Sequence, residues 1–211
     1  MLQNDPELFE LSMSEKTQPL MDLVKKHCEE NIKPIQQEYS ALQNEKEDRW
    51  SWHPRQIELM EGAKEKAREL GLWNFFLPDP DGNIGDGLTN LDYTYVASEI
   101  GKYPLASESM NCSAPDTGNM EVLERVGTEE QKKQWLEPLL NGEIRSAYAM
   151  TEPNLASSDA KNISTSAVLD GDEWVINGEK FYISGAGDPR CKIMITMVKT
   201  SPDAHPSKQQ S

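Results

Sequence analysis

The sequence predicts an α+β protein, with a helical domain over residues 1–143 followed by a β-domain over residues 144–211. Three observations carry that expectation. Apolar residues recur at three- and four-residue spacing through most of the first part. Past Gly142 the pattern changes to short runs such as "ISTSAVL" and "EWVINGEKFYIS", which read as strands. Clusters of Gly, Pro, Asp and Asn punctuate the joints between runs.

The elements follow in order. Between Lys16 and Asn31, the residues Leu20, Leu23, Val24 and His27 share one helical face, and Pro34 then interrupts or kinks the pattern. "WHPRQIELMEGAKEKAREL" starts a helix with Pro54 at its first position and ends it at Gly71, a left-handed C-cap. Its predicted stripe is Ile57, Met60, Ala63, Ala67 and Leu70. Leu77 to Asn90 reads as a surface loop, after which "LDYTYVASEI" resumes a helical period. Thr128, with Gln131 three positions on, has the form of a capping box, in which each side chain satisfies the other residue's free backbone amide.

In the second part, Asn177-Gly178 predicts a two-residue hairpin turn, because both residues accept the positive φ of a type I′ turn. On that register Trp174, Ile176, Phe181 and Ile183 share an apolar face, while Tyr182 and Ser184 point the other way. "KIMITMV" reads as a further strand and "KTSPDAHPSKQQS" as a polar loop. A last strand left as an open edge marks the chain as an expected fragment.

Composition excludes several classes. A formal charge of −15 opposes the clustered Lys and Arg that nucleic-acid binding requires, so no nucleic-acid partner is expected. Cys28, Cys112 and Cys191 lie far apart without CxxC spacing, which predicts free thiols rather than a disulfide framework or a zinc site. No run approaches the length of a membrane span, and "MLQNDPELFE" has neither signal-peptide nor transit-peptide composition. The expected location is cytoplasmic, with mitochondrial or peroxisomal as the alternatives in a eukaryote.

Tyr148 to Asp159, "YAMTEPNLASSD", is the candidate site. It carries hydroxyls at Tyr148, Thr151, Ser157 and Ser158, and Pro153 restricts Glu152 to extended geometry. On these residues alone two readings stay open. One is a connection whose Ser and Asp side chains make local turns; the other is a wall whose unpaired amides meet a ligand. It has too few glycines for a phosphate-binding loop. His27, His53 and His205 are too dispersed to suggest a metal site, and no Ser/His/Asp order, carboxylate pair or general base stands out.

Residues 111–160, "NCSAPDTGNMEVLERVGTEEQKKQWLEPLLNGEIRSAYAMTEPNLASSDA", followed by "INGEKFYISGAG", resemble the acyl-CoA dehydrogenase family. In that family a helical domain, a "TEP…SD" loop and an "NGxKxWIT" hairpin occur in this order, and the chain resembles the subgroup of family members ten and eleven and their bacterial relatives. The resemblance implies an N-terminal helical domain, an antiparallel β-barrel-like middle domain, truncated here, and a C-terminal four-helix bundle that this chain lacks. It also implies an FAD-dependent oxidoreductase of fatty acid metabolism, which oxidises an acyl-CoA thioester between Cα and Cβ. The implied partners are an electron-transfer flavoprotein or similar acceptor and, in the full-length protein, further copies of itself.

The same resemblance implies which residues hold the flavin. Tyr148, Ala149, Met150 and Thr151 run along the ring system, with Thr151 bonding its polar edge. Ser157 and Ser158 lie near the pyrophosphate, and Ser158 also touches the acyl-CoA. Tyr182, Ile183 and Ser184 form a second wall across the ring, with Tyr182 packed on the flavin and the Ser184 hydroxyl near N5. The catalytic base belongs to the family's C-terminal domain, so no catalytic residue is assigned and this chain by itself is expected to be inactive. Where many relatives read "TEPGxGSD", "TEPNLASSD" lacks both glycines and holds one extra residue; Asn154 accepts positive φ, whereas Ala156 does not. The alternative is a non-catalytic interaction module that retains the fold.

Overall fold

The structure, a computed structural model, describes residues 11–46, 48–77 and 87–210. They fall into two compact units that divide between Thr117 and Gly118. In the first unit, α1 (Gln18–His27) runs into α2 (Lys33–Ala41) through a π turn over Cys28–Ile32. Pro34 explains the turn. It has no amide to donate, and its ring crowds the carbonyl four residues back, so widening the preceding turn lets the helix continue. The buried face is Thr17, Met21, Val24, His27, Cys28 and Ile32. Leu23, expected on that face, lies at its exposed margin and Met21 takes its place.

The next helix, α3 (Pro54–Glu69), starts at Pro54 as expected. His53 caps it: Nδ1 accepts the Arg55 amide at 3.1 Å, and the Gln56 side chain returns to the His53 amide at 3.3 Å. Its buried stripe is Gln56, Leu59, Met60, Ala63 and Ala67, rotated from the predicted one so that Ile57 is exposed. Gln56 tolerates burial because its amide donates to the Tyr39 carbonyl at 3.0 Å. Gly71 takes φ +73°. Most of the predicted Leu77–Asn90 loop lies outside the described residues. The Thr89 hydroxyl caps α4 (Asn90–Ile100) by accepting the Asp92 amide at 3.1 Å, and α5 (Ala106–Ser109) follows.

The second unit takes most of α6 (Asp116–Val126), then α7 (Glu129–Gln131), a π turn over Lys132–Leu136 and α8 (Glu137–Leu140). Pro138 sits just past that π turn, as Pro34 does past the first. The Thr128–Gln131 capping box forms, with bonds of 3.2 and 2.9 Å. Beyond it β1 (Arg145–Ala149) pairs in parallel with β4 (Cys191–Thr196), and β2 (Ser166–Asp170) pairs antiparallel with β3 (Glu173–Asn177). The helical part followed by a small sheet region is the predicted class, but one of the two strand pairs is parallel. Lys199, just past β4, bridges to Ser166.

The predicted hairpin at Asn177-Gly178 does not form. The chain turns at Gly171-Asp172, where Gly171 has φ +62°, and Asn177 pairs with Ser166. Residues 178–183 form no strand. Asn177 also lacks the positive φ that a type I′ turn needs. Two turn signals, Asp170-Gly171 and Asn177-Gly178, compete for one strand. The run after Gly178 is instead taken up by contacts with Thr151 and Glu152. Gly178 serves close approach: a Cβ there would stand 2.4 Å from Thr165 Oγ1 and 2.7 Å from Thr165 Cα. The shared apolar face inferred from the hairpin fails with it, since Trp174, Ile176 and Phe181 are exposed.

Candidate functional site

Where β1 ends, the chain enters the "TEP" run through Met150 and Thr151. Glu152 is buried there and accepts four bonds, from the Ser164 amide and hydroxyl at 2.7 Å each, the Thr165 amide at 2.9 Å and Lys180 Nζ at 2.9 Å. Burial by itself would raise its pKa, but the donors from Ser164, Thr165 and Lys180 outweigh burial and hold the carboxyl well below the usual carboxylate range. Lys180 Nζ also donates to the Met150 carbonyl at 2.9 Å. In the sequence Glu152 stands out only as the residue that Pro153 holds extended, and nothing marks Lys180 as its partner. No spacing rule links two residues so far apart.

Next to this pair, Thr151 and Phe181 bond in both directions. The Phe181 amide donates to the Thr151 carbonyl at 2.8 Å, and the Thr151 hydroxyl donates to the Phe181 carbonyl at 2.6 Å. The two predicted walls therefore lie edge to edge rather than facing each other across a gap. Thr151 has its hydroxyl proton committed, leaving its oxygen able to accept. Tyr182 adopts φ +59°, a left-handed conformation that costs an aromatic residue about 1–3 kcal/mol and is found at functional sites. The residue is 84 % exposed, with its ring centroid 4.2 Å from that of Phe181.

Of the other predicted residues, Tyr148 and Ser184 are exposed, Met150 and Ile183 are half-buried, and Ala149 is fully buried. Ser184 opens a 3-10 turn, Ser184–Gly187, that lies against β1; a Cβ on Gly185 would come within 3.1 Å of the Ser146 carbonyl. Asn119 ties β1 to α6 by donating to Ser146 Oγ at 2.8 Å and to the Ala147 carbonyl at 3.0 Å. The two serines differ. Ser157 is buried and accepts the Glu152 amide at 2.6 Å, so its hydroxyl closes the loop on itself, while Ser158 is exposed. Asn154 takes φ +65°.

Among the described residues, the amides of Thr151, Tyr182, Ile183 and Ser184 donate to no protein acceptor. The exposed Tyr182 and Ser184 belong to the same run. No group of three or more His, Cys, Asp or Glu gathers for a metal, and no helix is long and apolar enough to cross a membrane, again among the described residues. Residues 14–143 match the family model of the acyl-CoA dehydrogenase N-terminal domain, and residues 147–211 match that of the middle domain.

The chain belongs to the acyl-CoA dehydrogenase family.

Acyl-CoA dehydrogenase family member 10 of Mus musculus is 48 % identical over 202 residues, which is 94 % of this chain and 18 % of that protein. A probable acyl-CoA dehydrogenase of Mycobacterium tuberculosis is 54 % identical over 154 residues, 72 % of this chain and 37 % of that protein. A candidate acyl-CoA dehydrogenase of known structure from Mycobacterium abscessus superposes with a TM-score of 0.85 at 42 % identity, over 95 % of this chain and 50 % of that one. This chain thus spans half or less of the length of these relatives. Acyl-CoA dehydrogenases are flavoprotein oxidoreductases that use FAD.

Proposed function

We propose that this chain supplies the helical domain and part of the flavin-binding β-domain of an FAD-dependent acyl-CoA dehydrogenase. The observation that supports this best is the Thr151–Phe181 bridge, which sets the two runs side by side. A glutaryl-CoA dehydrogenase of Mycobacterium smegmatis that shares the fold, with a TM-score of 0.63, was solved with FADH2. When bound, FAD supplies an acceptor for the hydride that leaves the acyl Cβ.

The residues of this chain bind and orient. Tyr182 would offer its exposed ring for stacking, and the exposed Ser184 hydroxyl would supply a hydrogen bond. The Thr151 amide would donate to the cofactor, while its hydroxyl, whose proton goes to the Phe181 carbonyl, is left to accept. Ser158 is assigned to the phosphate end in preference to Ser157, whose hydroxyl is spent within the loop. No catalytic base is assigned within this chain. Acyl-CoA and an electron-transferring flavoprotein are the proposed substrate and acceptor of the longer protein, which is proposed to form homo-oligomers.

The test is a titration of the purified chain with FAD, read by flavin fluorescence. Wild-type protein is expected to bind, and Tyr182→Ala and Ser184→Ala to weaken binding about tenfold each, as loss of a base-stacking ring or a hydrogen bond does. Trp174→Ala, on the exposed β2–β3 ribbon, serves as the control. Equal affinity in all four proteins, or no binding at all, rejects the reading. The exposed side chains of Val168, Leu169, Trp174 and Ile176 on that ribbon favour the alternative of an interaction module. That alternative predicts that no FAD co-purifies and that Thr151→Ala leaves protein partners unchanged.

A further inference from the structure

We infer that Glu152 and Lys180 are a positioning pair that sets the alignment of the two flavin-facing runs. The inference rests on the proposed function above for what those runs face. Its geometry stands independently.

Lys180 Nζ reaches the Met150 carbonyl and the Glu152 carboxylate at 2.9 Å each, so one ammonium grips the chain on both sides of Thr151. The next residue after Lys180 is Phe181, whose amide and carbonyl meet Thr151. The bridge between the runs is therefore bracketed by the ion pair. On its other side Glu152 holds the Ser164 and Thr165 amides, the approach to β2. Gly178 packs against Thr165, bringing the chain back toward Lys180. One carboxylate thus joins three segments: 150–152, 164–165 and 180.

No ladder does this work, because residues 178–183 form no strand. The alignment of Tyr182 to Ser184 rests on the Phe181–Thr151 backbone bond together with side-chain contacts. An ion pair suits that task, since a ladder would consume the very amides a ligand needs. Both side chains are largely buried, at 12 % and 2 % exposure. Buried pairs of this kind are weak sources of net stability; replacing both partners by uncharged groups of similar shape is often neutral, while their directional bonds specify one arrangement. A purely structural pair and a positioning pair therefore differ in what the doubly neutral variant restores.

The experiment compares wild type with Lys180→Met, Lys180→Arg and the double variant Glu152→Gln/Lys180→Met. It uses residue-resolved amide hydrogen exchange on the chain, together with FAD affinity and the visible absorption spectrum of added FAD. In Lys180→Met the Phe181 amide is expected to exchange roughly tenfold faster or more, as loss of bonds from a charged donor implies, while the Met197 amide, bonded to Ala149 at the end of β1, keeps its protection. Lys180→Arg retains most of the Phe181 protection. The double variant recovers wild-type melting but neither the Phe181 protection nor the flavin affinity and spectrum. Unchanged Phe181 exchange in Lys180→Met, loss of protection across β1 and β4 as well, or full recovery in the double variant overturns the inference. If the exchange pattern holds while wild type binds no FAD, the proposed function falls and the pair stands.

Discussion

Replacing Gly178 by alanine tests the close approach that displaced the predicted hairpin. The new Cβ would stand 2.4 Å from Thr165 Oγ1 and 2.7 Å from both Cα and Cβ of Thr165, where ordinary contacts begin beyond 3.4 Å. Two of those atoms cannot rotate away, because Cα is backbone and Cβ is fixed to it. Forced overpacking costs about 1–3 kcal/mol. A side chain at φ +154° adds about 1–2 kcal/mol of backbone strain. A total of about 2–5 kcal/mol lowers the melting temperature of a unit this size by about 10 °C or more. Gly171→Ala is the matched comparison: φ is +62°, nothing lies within 4 Å, and strain by itself costs about 1–2 kcal/mol. Thermal denaturation of the whole chain, followed by circular dichroism, separates the two. If Gly178→Ala melts as high as Gly171→Ala, the packing of Gly178 on Thr165 is wrong.

Acidification should weaken the protein in two windows. His27 is fully buried, with Nε2 on Ser109 Oγ at 3.0 Å and Nδ1 on the side-chain Nδ2 of Asn31 at 3.3 Å; desolvation lowers its pKa to about 4 from 6.5. The unfolded chain therefore binds a proton that the folded chain refuses, so stability falls as pH drops from 6.5 through 4, by about 3 kcal/mol in all. Urea midpoints from pH 7 to 4 measure this loss, and His27→Gln should flatten it. Asp92 is held at about 2 from 3.8, chiefly by the Ser14 amide, so its contribution is complete above 3.8 and is lost as pH falls toward 2. Ser157→Ala should cost about 1–3 kcal/mol in urea denaturation by stranding the buried Glu152 amide, whereas Ser158→Ala should change stability by less than about 0.5 kcal/mol. Thr128→Ala should cost about 1 kcal/mol through loss of the capping box, a shift of several degrees in the melt.

Local physics made much of the helical part legible. Pro54, Gly71, Thr128 and Gln131 act within a turn of themselves, so their types and spacing determine where helices begin and end. Stripe positions were harder. Leu23 and Ile57 are apolar yet exposed, while Gln56 is inside because the Tyr39 carbonyl accepts from it, a contact no window of α3 contains. Pro34 reads as an interruption or kink, but a π turn carries the helix past it, and a second π turn precedes Pro138 in the same way.

In the site, the ordered "TEP" and "NGEKFYIS" runs marked by sequence the residues that the structure brings together at Thr151 and Phe181. Strand alternation does not place Tyr182 and Ser184, because the hairpin it requires at Asn177-Gly178 does not form. What the sequence by itself determined is the family, the helical caps and the two runs of the candidate site, because each depends on neighbouring residues. Only the tertiary structure decided that Gly171 turns the chain, that Gly178 makes room for Thr165, and that Glu152 meets Lys180. Those outcomes depend on segments 12 to 30 residues apart competing for the same hydrogen-bonding groups, and that competition is resolved only when the chain is packed.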